Sequence, residues 1–497
     1  MTAFELVFVA MYLALMVLLS SIALHRLALA LAAYRRRLAP PPPEPGEWPT
    51  VLVQVPLYNE RYVAERVIDA VCGLEYPRER LSIQILDDST DGTSAIVAAA
   101  VARWARGGLD IAHVRRGNRE AFKAGALAAG LKQSTAELVA VFDADFAPPA
   151  DMLMRLVPEF QDAKVGMVQA RWGHINRRES VLTHTEAILL DGHFANEHGG
   201  RFARGCFFNF NGTAGIWRRA TIDDAGGWSG ATLTEDLDLS YRAQLRGWRF
   251  VYRDDVEVPG ELPADVKAFK SQQHRWAKGS IQTALLLLGR ILTSGLPWRI
   301  KTEAFFHLAS NFAYPLVLLL TMLMPWALTV KLHAERSLVF LIDASFFVTS
   351  TLSLVLFYVM AERKVGFGWR TARYLPIVLA MGIAMAVNNT RAVVEALLAR
   401  QSPFNRTPKL GTQSARGVTD PGYLVQADWQ ALIELVLGAY LLGAVLMAAH
   451  AGRWVAVPFL ALFAGGFLFL ALGSLWHANL LGRGRATAKP LTAPPGA

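Results

Sequence analysis

The sequence predicts a two-part molecule: an α/β domain built on a mostly parallel sheet, combined with an α-helical transmembrane region. Three observations predict it. Of the 497 residues 53% are hydrophobic and the mean hydropathy is +0.28, too apolar for an ordinary soluble chain of this length. Long apolar runs lie at 6–24 and again beyond about residue 303, with a more polar stretch between them. Within that stretch, runs rich in Val, Ile and Leu at 50–60, 81–88 and 137–145 alternate with helical patterns, as strands do in a parallel sheet covered on both faces.

The first run approaches the length needed to cross about 30 Å of hydrocarbon. Glu5 precedes it, Arg26 and Arg35 to Arg37 follow it, and no small-residue cleavage site ends it. It therefore reads as an uncleaved anchor within 1–38, not a signal peptide, with its basic flank on the cytoplasmic side. PPPPEPGE at 40–47 makes 39–47 an extended linker. The α/β domain then occupies 48–260, interfacial helices 261–300, and a transmembrane region of about four helices 301–497.

Loop charge sets the topology of that last region. The loops 361–373 and 399–409 are basic, as is the tail with Arg483, Arg485 and Lys489, so all three belong in the cytoplasm. Residues 374–387 supply too short an apolar stretch to span, contain Pro376 and run into Asn388, Asn389 and Arg391; they are expected to lie at the interface. Five spans result, placing a multi-pass protein in the cell (inner) membrane with its α/β domain cytoplasmic. The net charge of +9 is spread over loops beside membrane segments, which suits anionic lipid and not nucleic acid. Cys72 and Cys206 are too few for a disulfide framework.

Ligands of parallel sheets sit beyond the carboxyl ends of the strands, and the three runs end there in Asn59-Glu60, Asp87-Asp88 and Asp143-x-Asp145. If the third strand continues through them, Asp143 and Asp145 point the same way and suit a hard cation, Mg²⁺ or Mn²⁺, bridging to a diphosphate. The alternative is a turn whose carboxylates cap the next helix. DDSTDG at 87–92 opens like a calcium loop but has Ala98 where a bidentate Glu is required; Asp87 or Asp88 instead suits the base or ribose end of a nucleotide. TEDLDL at 234–239 is a helix start, with Thr234 as N-cap and acids against the dipole; such a start also fixes Asp236 in space as a general base. Gln272, Arg275, Trp276 and Gly279 share one helix face, whose guanidinium fork and indole suit a diphosphate and a stacked sugar. HFANEH at 193–198 matches no zinc-protease spacing.

From 50 to 410 the chain resembles the family 2 glycosyltransferases with a GT-A (Rossmann-like) domain, within them the cellulose-synthase-like group that includes mannan synthases. The resemblance is carried by VPLYNE (55–60), DDSTD (87–91), RGNREAFKAGAL (116–127), FDAD (142–145), FNGTAGIWR (210–218), TEDLDL (234–239), QQHRW (272–276) and FNRTPK (404–409). It implies donor contacts from Asp87 or Asp88, Lys123, Asp143 and Arg275, and a Mg²⁺ or Mn²⁺ on Asp143 and Asp145. It implies Asp236 as the base, with Glu235, Gln272 and Trp276 at the acceptor and diphosphate, and FNRTPK as a gating loop in which Arg406 and Pro408 depart from the bacterial cellulose-synthase pattern. The expected activity is inverting transfer of a hexose from a UDP- or GDP-sugar to a β-linked polysaccharide. A lipid glycosyltransferase with a diacylglycerol-type acceptor and a non-catalytic membrane scaffold or transporter are the alternatives.

Overall fold

A computed structural model describes residues 2–37, 39–330, 336–400, 411 and 429–487. FNRTPK and Lys489 lie outside them.

Seven strands form one sheet in the order β3-β2-β1-β4-β6-β5-β7: β1 Val51–Leu57, β2 Leu81–Asp87, β3 Ile111–Val114, β4 Leu138–Val141, β5 Val165–His174, β6 Gly215–Arg218 and β7 Arg249–Gly260. β1 pairs in parallel with β2 and β4, β2 with β3 and β5 with β7, whereas β6 runs antiparallel to both of its neighbours. The sheet is thus mostly parallel, as expected, with one reversed strand. β1 is buried on both faces, the condition that makes its sequence a continuous apolar run.

Pro56 sits in this central strand without breaking the ladder. Gln54 O accepts from Phe142 N on the β4 side, while Leu57 O accepts from Asp88 N on the β2 side. By alternation Pro56 faces β4, and β4 has already ended at Val141, so the missing proline N–H leaves no strand partner unsatisfied. The early end of β4 also corrects one expectation. Asp143 and Asp145 are not strand residues; they occupy the turn that follows.

Among the described residues six helical segments are long and apolar enough to cross a membrane: Ala3–Arg35, Trp298–Thr329, Ser345–Lys364, Gly368–Leu397, Gln430–His450 and Val457–Leu475. Five were expected. The difference is Gly368–Leu397, where a 3-10 turn and the helices Leu375–Ala384 and Ala386–Leu397 follow one another directly, giving a length that 374–387 alone lacks. Pro376 falls in the first turn of its helix, where a proline costs no hydrogen bond.

The interface helix Val266–Thr293 joins the two parts. Asp265 caps it by accepting from Lys267 N at 2.9 Å and Ala268 N at 2.8 Å. Its Lys270 meets Glu434 of a membrane helix at 2.6 Å, both side chains buried. Its His274 and Lys278 each lie 3.1 Å from Glu395. The helix is therefore held by charge to the membrane region on one side while its Gln272–Trp276 segment lines a cavity in the α/β domain.

Candidate active site

One cavity lies beyond the carboxyl ends of β1, β2 and β4, and its lining gathers Asp88, Lys123, Asp143, Asp145, Glu235, Asp236, Gln272, Arg275 and Trp276. Nine of the ten site residues expected from sequence thus meet in one place. The tenth, Asp87, does not line it. Asp87 is fully buried, its carboxylate accepting from Ser89 N at 2.8 Å and Ser94 Oγ at 2.6 Å and facing His113 Nε2 at 2.9 Å. Burial opposes its charge, yet bonds from Ser94, Ser89 and His113 hold its pKa below the ordinary carboxyl value. Asp87 braces the loop, while Asp88, one residue on and so turned the other way, faces the cavity. Arg116 grips Asp88 with two bonds, of 2.8 and 2.6 Å.

Lys123, in the first turn of the helix Phe122–Leu131, is the hub. Its Nζ donates to Asp143 Oδ1 at 2.5 Å and to Gly212 O at 2.8 Å, and lies 3.8 Å from Glu235 Oε1. Burial opposes the ammonium charge, but Asp143 and Glu235 overcome it and raise the pKa. Arg275 shows the opposite balance: burial pulls its pKa down to about 10 despite Asp143, Glu235, Asp145 and Glu60 nearby.

Glu235 and Asp236 open the helix Glu235–Leu245, but Thr234 does not cap it with its side chain. The Thr234 hydroxyl instead packs against the interface helix, 3.5 Å from Thr283 Oγ1, and Leu233 N donates to Gln282 Oε1 at 3.0 Å. A Cβ on Gly279 would lie 2.9 Å from Thr234 N, so only glycine permits this approach. The expected cap is replaced by Asp236 itself, whose Oδ1 accepts from Leu237 N at 2.8 Å. Burial, and then the charge of Glu235, push the Asp236 carboxyl up to about 8 against the pull of Lys123. Burial likewise raises Glu235.

Sequence reasoning gave no role to the loop Asn211–Thr213, although it lies inside FNGTAGIWR. This loop ties the acids together. Thr213 Oγ1 accepts from Asp143 N at 2.9 Å, Gly212 O binds Lys123, and a Cβ on Gly212 would stand 3.2 Å from both Asp236 Oδ2 and Lys123 Nζ. With φ at +81°, this position favours glycine on conformational grounds as well. The signal available was Asn-Gly before a strand, a turn marker. Asn211 and Gly212 both line the cavity.

The charge balance bears on a metal. The lining holds seven carboxylates (Glu60, Asp88, Asp143, Asp145, Glu235, Asp236, Glu261) against three strong cations (Arg119, Lys123, Arg275). Arg116 and Arg66 neutralise Asp88 and Glu261 from outside, which leaves Glu60, Asp143, Asp145 and Glu235, beside an Asp236 protonated below about 8, against the three cations before any diphosphate enters. Among the described residues no three His, Cys, Asp or Glu side chains cluster as a ready-made metal cage. Two carboxylates with open remaining positions fit a Mg²⁺-like ion, which takes one or two carboxylates and completes its shell with phosphate and water.

A carboxylate-lined cleft at the edge of a mostly parallel sheet, roofed by an aromatic and cationic interface helix, defines a nucleotide-sugar transferase site. The comparisons agree. Residues 49–279 match the family model described as glycosyltransferase like family 2. Glucomannan 4-beta-mannosyltransferase 9 of Arabidopsis thaliana is 35% identical over 80% of this chain and 75% of its own length. Glucomannan 4-beta-mannosyltransferase 2 of the same plant is 48% identical over 47% of this chain and 45% of its own length. In fold, the mannosyltransferase PcManGT of Pyrobaculum calidifontis, solved with GDP-Man and Mn²⁺, superposes with a TM-score of 0.54 at 22% identity, covering 79% of this chain and all of that one. The chain belongs to glycosyltransferase family 2, as a membrane-integrated hexosyltransferase of GT-A fold in the cellulose-synthase-like, mannan-synthase-like group.

Proposed function

We propose that the protein transfers mannose from GDP-mannose, with inversion, to the growing end of a β-linked polysaccharide at the cytoplasmic membrane face. The observation that carries this is the placement of Asp236, at the head of its helix, in one cavity with the Lys123–Asp143 pair and the Arg275–Trp276 face. Mannose and a polymer acceptor are favoured over glucose and a lipid by the names of the relatives, and GDP-mannose by the ligand of the structural neighbour. Arg363 and Lys364 at the end of one candidate span and Arg370 and Arg373 at the start of the next, all exposed, support the cytoplasmic orientation.

Each residue then has a task. Asp88 holds the nucleoside end, and Lys123 and Arg275 hold the diphosphate, Arg275 by its planar fork. Trp276 offers its indole face to the acceptor sugar, and Gln272 and Glu235 hold its hydroxyls. Asp236 takes the proton as the acceptor oxygen bonds to the anomeric carbon, while the bond from that carbon to the diphosphate oxygen breaks on the far side. GDP departs with the electron pair. Asp143 and Asp145 would hold a divalent cation, which acts as a Lewis acid on the leaving group when bound.

The test is incubation of protein-containing membranes with labelled GDP-mannose or UDP-glucose, followed by partition of the product. Label from GDP-mannose in aqueous-insoluble material, degraded by a β-mannanase, is expected. Label in the organic phase would overturn the polymer acceptor, and label from UDP-glucose alone would overturn the donor.

A further inference from the structure

A polar chain runs from the first membrane helix to the cavity wall, through a segment with no role in the transfer described above. The segment is Gly192–His198, which follows the helix Val181–Asp191 as a π-helical turn. Such turns are rare and concentrate at functional sites, because the wider turn shifts which side chains share a face. Here His193 and Glu197 share one. His193 Nδ1 lies 2.9 Å from Glu197 Oε2, and His193 Nε2 lies 3.2 Å from the Oδ1 of Asn211, a residue of the cavity wall.

On the membrane side, Arg26 Nε donates to Glu197 Oε1 at 2.8 Å, and its guanidinium stands 4.4 Å from the Phe357 ring centroid. Asn196 Nδ2 donates to Phe357 O at 2.6 Å, so the turn is also fixed to the neighbouring membrane helix. Burial opposes the charge of Glu197, but Arg26, His193 and Arg201 hold its pKa well below the ordinary value. Asn211 is the last link, because Gly212 beside it carries the carbonyl that binds Lys123 and packs so near Asp236 that an added Cβ would stand 3.2 Å from its Oδ2.

We infer that Arg26 is a positioning residue: through Glu197 and His193 it sets the Asn211–Gly212 loop and so the placement of Lys123 and Asp236. The first membrane helix is then part of the catalytic apparatus and not a passive anchor. Cutting the chain loosens the Gly212 carbonyl and so disturbs Lys123 at the diphosphate as well as the proton acceptor. That consequence rests on the transfer reading above; the mechanical coupling to the loop does not.

The test compares Arg26→Gln, Arg26→Lys, Glu197→Gln, His193→Gln and the double variant Arg26→Gln/Glu197→Gln with the wild type. Hydrogen exchange in peptides covering residues 209–213, read without any sugar donor, is expected to speed up in Arg26→Gln and His193→Gln. In turnover with labelled GDP-mannose, Arg26→Gln is expected to lower kcat about tenfold to a hundredfold and to raise the donor KM with it. Arg26→Lys, which keeps the ion pair, should recover most of kcat, and the double variant should lose no more than the worse single one. Should Arg26→Gln fail to accumulate in the membrane, His193→Gln reads the same coupling from the cytoplasmic domain. Unchanged exchange at 209–213 in His193→Gln overturns the inference whichever sugar is used. So does a lowered melting temperature in Arg26→Gln with kcat intact, or additive losses in the double variant.

Discussion

Asp236 stands directly after Glu235 at the head of a helix, and desolvation together with the neighbouring carboxylate charge pushes Asp236 up to about 8. Proximity of two like charges that cannot both ionise freely is a general route to a base tuned near neutral pH. An unperturbed Asp, near 3.9, would be a much weaker proton acceptor.

The pH profile follows. A base must be ionised, and in the free enzyme Asp236 is protonated below about 8. The value of kcat/KM, which reports the free enzyme, is therefore expected to rise with pH on the acid side and level off near pH 8. Asp236→Asn should lose about 10² to 10⁴ in rate while still binding GDP-mannose, as measured by filter binding. Stability changes the other way. A folded pKa raised above the ordinary aspartate value contributes stability that is complete below that value and is lost as pH rises to about 8. Asp236→Asn should thus melt higher than the wild type at alkaline pH, in thermal scans across pH 6 to 9, with the difference growing through about 8.

Lys123→Met tests the hub. Removing the ammonium leaves Asp143 without its 2.5 Å partner and Gly212 O without its 2.8 Å donor. Lys123 also stands at the diphosphate position, so donor KM should rise well over tenfold and the variant should melt lower. Steady-state kinetics with varied GDP-mannose, beside a melting curve, would show both; a donor KM within twofold of wild type would remove Lys123 from the donor site.

The metal prediction rests on charge. With carboxylates in excess around the diphosphate position, EDTA should abolish transfer and Mn²⁺ or Mg²⁺ restore it. Asp143→Asn and Asp145→Asn should each raise the metal concentration for half-maximal activity by at least tenfold. Transfer that survives EDTA would exclude the ion.

Much of this was legible in the sequence because the strand ends are written in it. β1, β2 and β4 are each followed by polar residues at one sheet edge, so topology alone brings Asp88, Asp143 and Asp145 together there. What escaped depended on contacts between distant segments. Asp87 and Asp88 are adjacent, and only Ser94 and His113 reveal which of them is the brace. Thr234 reads as a cap until Gly279 and Thr283 of the interface helix claim it. Asn211–Thr213 carries no sign of its role because its partners, Lys123 and Asp143, lie about 70 to 90 residues away. The sixth candidate span was missed for a local reason, the helix Ala386–Leu397 continuing past the polar pair Asn388-Asn389. Asn388 Nδ2 is satisfied inside the protein, donating to Lys270 O at 2.9 Å, which lets amides sit in an otherwise apolar segment.

Gly279→Ala gives the sharpest test of how the base is aimed. Gly279 faces Thr234 across the junction of two helices, and an added methyl would come within 2.9 Å of the Thr234 backbone nitrogen and closer still to its side chain. Backbone cannot yield as a flexible side chain would, so the helix Glu235–Leu245 must move away from the interface helix. Overpacking of this kind costs about 1–3 kcal/mol, visible as a lower melting temperature. The displacement carries Asp236 away from Trp276 and Arg275, and a shift of about 1 Å in a reacting group can cost about a hundredfold in rate. The expected result is a kcat reduced more than the loss of stability explains, with donor KM little changed because Asp88 and Lys123 lie on other elements. Thr234→Ser, which removes only the methyl nearest that position, should restore part of kcat in the Gly279→Ala background. Failure of that second substitution to recover any activity would show that the contact with Thr234 does not set the position of the base.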